Sequence, residues 1–166
     1  MAKDESFDVV SEVELQEVDN AYQQTRKEIA QRYDLKGSKA SLEFDKSAKR
    51  FTLLAPSEFV AKQVIDVLNT RFIQRKVDLK AVRWTGPEDA SGLMVRFRGE
   101  LVEGISKELA TKINKNIRDL KLKRVKVQIE GEKLRVFSSS RDELQEVISY
   151  LKEQDYGQPL QYINYR

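Results

Sequence analysis

The sequence predicts an α+β protein built from two copies of one β-α-β-β-α-β pattern. Three observations carry this. Val125-Lys126-Val127-Gln128-Ile129-Glu130 alternates apolar and polar residues, as a half-buried strand does. Leu15, Val18, Tyr22, Thr25 and Ile29 recur at helical spacing and define one face of a helix. The order of such segments then repeats: Leu42-Glu43-Phe44-Asp45 falls on Val127-Gln128-Ile129-Glu130, and Glu58 on Glu143 at the same offset, which marks an internal duplication.

The first copy opens with Phe7-Asp8-Val9-Val10, read as a short strand. Ser11-Glu12-Val13-Glu14 has the capping-box spacing, in which a hydroxyl accepts from the amide three residues on and the glutamate reaches back. A helix is expected from there to about Gln31, followed by a loop and the strand Ser41–Asp45. Lys46-Ser47-Ala48-Lys49 turns the chain into Arg50–Ala55, giving a hairpin. Ser57 is the expected N-cap of a second helix, whose face is Phe59, Val60, Val64, Val67, Leu68 and Phe72. Leu79–Trp84 closes the copy as a strand.

Gly86-Pro87-Glu88-Asp89-Ala90-Ser91-Gly92 is small, polar and bounded by glycines, and reads as a boundary or linker. The second copy repeats the order. Leu93–Arg98 is a strand, and about Glu103 to Arg118 a helix carrying Ile105, Leu109, Ile113 and Ile117. Val125–Glu130 and Leu134–Phe137 form a hairpin about Gly131-Glu132-Lys133. Ser140-Arg141-Asp142-Glu143 is a second capping box ahead of Leu144, Val147, Ile148 and Leu151. Leu160–Tyr165 is the last strand, which places Tyr165 on Trp84 as a matched core or interdomain position. The expectation is therefore two ferredoxin-like domains, 1–87 and 88–166. Each would be a four-stranded antiparallel sheet with helices on one face.

Composition narrows the chemistry. The chain of 166 residues is 40% hydrophobic and 34% charged, with a net charge of +3. It reads as globular, with no apolar run of membrane-spanning length. Its opening Met1-Ala2-Lys3-Asp4-Glu5 lacks the apolar core of a signal peptide, so a cytosolic location is expected. There is no cysteine and no histidine. Disulfides, thiolate nucleophiles, histidine triads and the usual zinc ligand sets are excluded. The carboxylate pairs Glu12/Glu14 and Asp142/Glu143 fall in helix caps, so no metal site or cofactor is expected and an enzyme is disfavoured.

Candidate binding residues lie in three places. Arg32-Tyr33-Asp34-Leu35-Lys36-Gly37-Ser38-Lys39 links a helix to a strand. Gly37 can take positive φ there, Asp34 and Ser38 can bond nearby amides, and the three cations surround accessible backbone. That set can receive a phosphate; the alternative is a well-made loop with solvated cations. Arg96 and Arg98 share one strand face. They can grip a phosphate or stack on a purine, or instead pair with carboxylates on a neighbouring strand. Between Ile105 and Lys126, eight cations stand against two carboxylates. Lys107, Lys112, Lys115 and Arg118 form a candidate nucleic-acid patch, or a solvated helix face.

RNA-recognition modules of this topology stack bases on aromatics of the two central strands. Phe7, Phe51, Phe97 and Phe137 are the equivalents here, with core packing as the other reading. Lys49-Arg50-Phe51-Thr52-Leu53-Leu54 does not match the RNA-binding consensus of those modules, which disfavours a generic one.

Four blocks carry a resemblance: Ser6-Phe7-Asp8-Val9-Val10-Ser11-Glu12-Val13, Tyr33-Asp34-Leu35-Lys36-Gly37-Ser38, Ser140-Arg141-Asp142-Glu143-Leu144-Gln145 and Pro159-Leu160-Gln161-Tyr162-Ile163-Asn164-Tyr165-Arg166. In that order the chain resembles the YajQ family of small bacterial nucleotide-binding proteins along essentially its whole length. The resemblance implies paired ferredoxin-like domains that can exchange their first strands. It implies binding of a purine nucleotide (cyclic di-GMP, GTP or ATP) or RNA, in a regulatory role without catalysis. The alternative is an interaction module docking on a transcription or ribosomal partner.

Overall fold

The structure, a computed structural model, describes residues 3–32 and 34–166. In chain order the elements are β1 (Glu5–Val10), α1 (Leu15–Gln31), β2 (Ser41–Asp45), β3 (Arg50–Ala55), α2 (Glu58–Gln74), β4 (Val82–Ala90), β5 (Met94–Leu101), α3 (Lys107–Asp119), β6 (Val125–Glu130), β7 (Lys133–Ser138), α4 (Arg141–Glu153) and β8 (Gln161–Ile163). They form two compact units. Unit 1 joins the segment ending at Glu12 to Glu103–Arg166, and unit 2 is Val13–Val102. Sequence order alone would divide the chain at 87/88; the compact units divide at 12/13 and 102/103.

Each unit has a four-stranded antiparallel sheet of ferredoxin-like order. In unit 1 the strands run β6-β7-β1-β8, and in unit 2 β2-β3-β5-β4. The opening strand of each sequence repeat thus lies in the sheet that contains the rest of the other repeat. β1 pairs with β7 (Phe7 opposite Val136) and with β8 (Val9 opposite Tyr162). β5 pairs with β3 (Phe97 opposite Leu53) and with β4 (Gly99 opposite Trp84).

The helices cover one face of each sheet. In unit 1, Phe7, Val9, Leu134 and Val136 meet Ile113 and Ile117 of α3 and Leu144, Val147 and Leu151 of α4. In unit 2, Phe51, Leu53 and Phe97 meet Val18, Tyr22 and Ile29 of α1 and Val64, Leu68 and Phe72 of α2. Phe51 is the hub of that core. It stacks on Phe44 at 4.4 Å between ring centroids, with Tyr22 and Phe72 edge-on and Trp84 tilted beside it. Alternation buries one face of β3 (Phe51, Leu53, Ala55) and of β7 (Leu134, Val136, Ser138), whereas Ile129 of the alternating β6 is 42% exposed.

Local signals behaved unequally. Ser57 and Ser140 cap their helices, accepting from the Val60 and Glu143 amides. The Glu143 carboxylate does not reach back to Ser140; it accepts instead from the Ser138 hydroxyl at 3.4 Å. Ser11 is not a cap. Glu14 holds the N-cap position of α1 with no side-chain hydrogen bond. The Ser11 hydroxyl is buried, donates to the Pro159 carbonyl and accepts from Gln158 Nε2. A tertiary partner thus displaced the local one. Helix α3 starts later than its periodicity suggested, at Lys107 with Ser106 as N-cap. Gly104 stands at φ +78° and Ile105 is buried ahead of the first turn. The positive φ is incompatible with helix.

The stretch 86–92 is no linker. Most of it continues β4, which pairs with β5 as far as Ala90 opposite Met94 after a bulge between Thr85 and Glu88. Because β4 is an edge strand, Pro87 removes no ladder hydrogen bond that the sheet needs. Trp84 packs in the unit 2 core, whereas Tyr165 is 41% exposed and donates its hydroxyl to Glu5. The matched positions therefore have different fates. No helix among the described residues is long and apolar enough to cross a membrane.

Candidate functional site

Helix α1 ends where Arg32 leaves helical geometry, its amide still bonded to the Glu28 carbonyl at 2.8 Å. The next turn is fixed by Lys36 and Leu35 amides donating to the Arg32 carbonyl, and by the Ser38 amide donating to Leu35. Leu35 is 1% exposed and ties this turn to the core. Gly37 at φ +80°, with open space where a side chain would stand, carries the chain out of the turn. The Ser38 hydroxyl then accepts from the Ala40 amide.

The turn walls a cleft of about 420 Å³ between α1 and β2. Its floor is apolar: Ile29, Leu35 and Leu42. Its rim carries Arg26, Lys36 and Lys39 against one carboxylate, Glu43. None of the three cations makes an ion pair with another described residue. At one end the Tyr22 hydroxyl lies 3.4 Å from Glu43. Burial, then the Glu43 charge, pushes the Tyr22 pKa up, so the phenol is a neutral donor at physiological pH. Unpaired cations above an apolar floor can hold a phosphate while an apolar ring lies beneath it.

The structure sorts the residues singled out from the sequence. Lys36 and Gly37 line the cleft. Arg32 and Asp34 do not; they pair with each other at 2.7 Å, and Arg32 also approaches Glu28 at 3.7 Å. Ser38 supports the turn. Tyr33 lies outside the described residues. Arg96 and Arg98 are on the sheet face away from the helices, opposite Leu54 and Thr52, and do not join the cleft. Arg98 pairs with Glu88 at 3.4 Å, as the carboxylate reading allowed, while Arg96 makes no ion pair with a described residue. Phe7 is fully buried beneath α3 and α4, so it cannot stack on a ligand without opening the core. Phe51 and Phe97 are core for the same reason, and Phe137 alone of the four stands half-buried on an outer sheet face. Lys107, Lys112, Lys115 and Arg118 are all exposed on α3, with Lys112 Nζ 5.7 Å from the Tyr156 ring centroid.

Sequence reasoning missed Arg26. It precedes the loop by a turn and a half of helix, and its only signal was its spacing from Ile29 and Ala30, which share its face. It also missed the network on the outer face of the unit 1 sheet. Asp8, 1% exposed, accepts from Arg135 Nε at 2.9 Å and from Asn164 Nδ2 at 2.9 Å, with Lys133 at 3.6 Å. Burial alone would raise the Asp8 pKa; the Arg135 and Asn164 hydrogen bonds and the two cations outweigh it and hold it below the usual value. A depressed folded pKa gives stability that is present above the unfolded value, about 4, and lost as pH falls through the folded one. Urea denaturation of unit 1 between pH 7 and pH 2 is therefore expected to show a midpoint falling on the acid side of about pH 4–5. Asp8→Asn should be less stable at pH 7 and flatter below it. Some slope will remain from Glu5, whose pKa the Arg141 hydrogen bond also lowers. An unchanged slope in Asp8→Asn would remove Asp8 from the account.

Among the described residues no group of three or more His, Cys, Asp or Glu side chains is placed to hold a metal ion. The family model described as nucleotide-binding protein YajQ-like matches residues 5–166. A nucleotide-binding protein of Endomicrobium trichonymphae is 45% identical over 166 residues, covering 100% of both chains. One of Desulfitobacterium hafniense is 46% identical over the same span, again all of both chains. One of Geotalea uraniireducens is 48% identical over 161 residues, 97% of this chain and 98% of that one. The chain belongs to the YajQ-like nucleotide-binding protein family.

Proposed function

We propose that this protein binds a purine nucleotide, such as cyclic di-GMP, GTP or ATP, or a stretch of RNA, and acts as a non-catalytic regulatory effector in the cytoplasm. The observation that carries this is the α1–β2 cleft, where Arg26, Lys36 and Lys39 ring an apolar floor without carboxylate partners of their own. The phosphate would sit against these cations and the exposed backbone at Gly37, and the base would lie toward Ile29 and Leu42. The relatives are named nucleotide-binding proteins, which supports a nucleotide as the ligand. Arg96, with no ion pair on the outer face of the unit 2 sheet, is a second candidate contact.

The test is calorimetric titration of the whole chain with cyclic di-GMP, GTP, ATP and a short single-stranded RNA at two salt concentrations. One ligand is expected to bind saturably. Losing one charge-assisted contact at a solvent-open site costs about 1.5 kcal/mol, so Lys36→Ala or Arg26→Ala should weaken binding roughly tenfold. Arg32→Ala should weaken it far less, because that guanidinium is already engaged by Asp34. Silence from all four ligands would sink the reading. It would favour docking on a transcription or ribosomal protein, for which Phe59 and Ile73, 72% and 64% exposed on α2, offer apolar contact.

A further inference from the structure

The unit 2 cleft has a counterpart in unit 1. A cavity of about 400 Å³ lies where α3 passes into β6, lined by Asn114, Ile117, Arg118, Leu122, Val125, Lys126 and Val127. Its positions are those of the first cleft. On the helix, Arg26, Ile29 and Ala30 have the same three- and four-residue spacing as Asn114, Ile117 and Arg118. The buried faces agree: Ile29 ends the buried run of α1 as Ile117 ends that of α3. On the strand, Ala40, Ser41 and Leu42 correspond to Val125, Lys126 and Val127 by the register of the repeat. In the connection, which is shorter in unit 1, each cleft is lined by one leucine, Leu35 and Leu122. Every helix and strand residue lining the second cleft has an equivalent in the first.

The apolar floor is what a repeated packing scheme would conserve by itself. The charge is not, because it sits on different residues. Arg26 of the first cleft becomes Asn114, while Ala30 becomes Arg118 and Ser41 becomes Lys126. The connection keeps its cations too: Lys36 and Lys39 in one, and exposed Lys121, Lys123 and Arg124 in the other. The second cleft has no carboxylate in its lining, where the first has Glu43. Arg118 and Lys126 make no ion pair with a described residue. Core packing gains nothing from cations at these rims, yet both rims have them.

We propose that unit 1 holds a second phosphate-binding cleft, in which Arg118 and Lys126 grip a phosphate group and the Asn114 amide bonds its oxygens. The phosphate belongs either to a free nucleotide or to the backbone of a single-stranded polynucleotide. The idea extends the reading of the unit 2 cleft and rests in part on it, but occupancy of one does not require the other.

The experiment is amide chemical-shift mapping of the ¹⁵N-labelled full chain with inorganic pyrophosphate, GTP and a short oligouridylate. These are followed by affinities of native protein and Arg118→Ala/Lys126→Ala across a salt series. Shifts are expected at residues 114–127. Each phosphate contact to a single strand contributes about −0.7 to the slope of log K against log salt. The double variant should therefore flatten the oligouridylate slope by about 1.4 and weaken binding at low salt at least tenfold. A response to GTP and pyrophosphate alone would support the site with a free nucleotide as its source; a response to oligouridylate with the flattened slope would assign it to a polynucleotide. If residues 26–43 shift and 114–127 do not, this proposal falls and the unit 2 reading stands. If only 114–127 shift, the unit 2 reading falls. An unchanged slope, with no shift at 114–127 from any probe, overturns the second site. Should the double variant unfold, Lys126→Glu alone, on an exposed side chain, is measured the same way and must abolish the unit 1 shifts.

Discussion

Removing residues 1–12 is expected to unfold residues 103–166 while 13–102 remain folded. β1 is an interior strand of the unit 1 sheet, paired with β7 on one side and β8 on the other. Without it the two neighbours lose their shared partner, and β8, only three residues long, has nothing left to pair with. The core also loses Phe7 and Val9, both wholly buried. Each is worth about 1.5–3 kcal/mol of burial, against a typical net stability of about 5–15 kcal/mol for a whole domain. The unit 2 sheet is untouched, because its fourth strand is β5. Amide spectra of the 13–166 chain should keep dispersed resonances for 13–102 and lose them for 103–166. A peptide of residues 3–12 added in excess should recover some of the lost dispersion. Dispersed resonances throughout the truncated chain would show that β1 is dispensable.

The second large effect is expected at Phe51. Replacing it with alanine should destabilise unit 2 by about 3–5 kcal/mol, the range for a large aromatic removed from a packed core. The site is poorly placed to collapse. Phe51 is fully buried on an interior strand, with rings from α1, α2, β2 and β4 around it. No single neighbour can move in without leaving its own contacts. Phe44→Ala, on an edge strand and half-buried, should cost less. Trp84 is the only tryptophan and sits 5.9 Å from Phe51 between ring centroids, so its fluorescence during urea unfolding reports unit 2. The midpoint should fall with little change in slope. A loss below about 1 kcal/mol would mean the core repacks around the gap.

Element types were legible because hydrophobic periodicity is local. Strands such as Val125–Glu130 and helices such as Leu15–Gln31 declare themselves by spacing. Pairing is not local. Phe7-Asp8-Val9-Val10 reads as a short strand, but nothing in those four residues names β7 and β8 as its neighbours. Two of the local misreadings share a cause. Ser11 had the spacing of a cap, and 86–92 the composition of a linker, but the tertiary partner decided each: Pro159 and Gln158 for Ser11, the edge of β5 for 86–92. In the candidate site, Lys36 and Gly37 were visible because the glycine marks a turn. Arg26 was not, since a cation on a helix gives no sign of which cleft it will overlook. Arg32 and Asp34 showed the opposite error, two charged groups that satisfy each other.

The placement of β1 also has a consequence in time. During synthesis β1 is made first, and its partners β7 and β8 come more than a hundred residues later. At about 5–20 residues per second the wait is on the order of 10 s. Unit 2 is complete at Val102 and can close before unit 1 has a sheet to join. For that interval the residues of β1 lack both of their sheet partners, and an apolar segment with unpaired backbone groups can recruit other nascent chains. Asp8 then sits unpaired among Phe7, Val9 and Val10, and a charge in the middle of such a run opposes strand stacking. The carboxylate that later takes Arg135 and Asn164 as partners first guards a strand that has none.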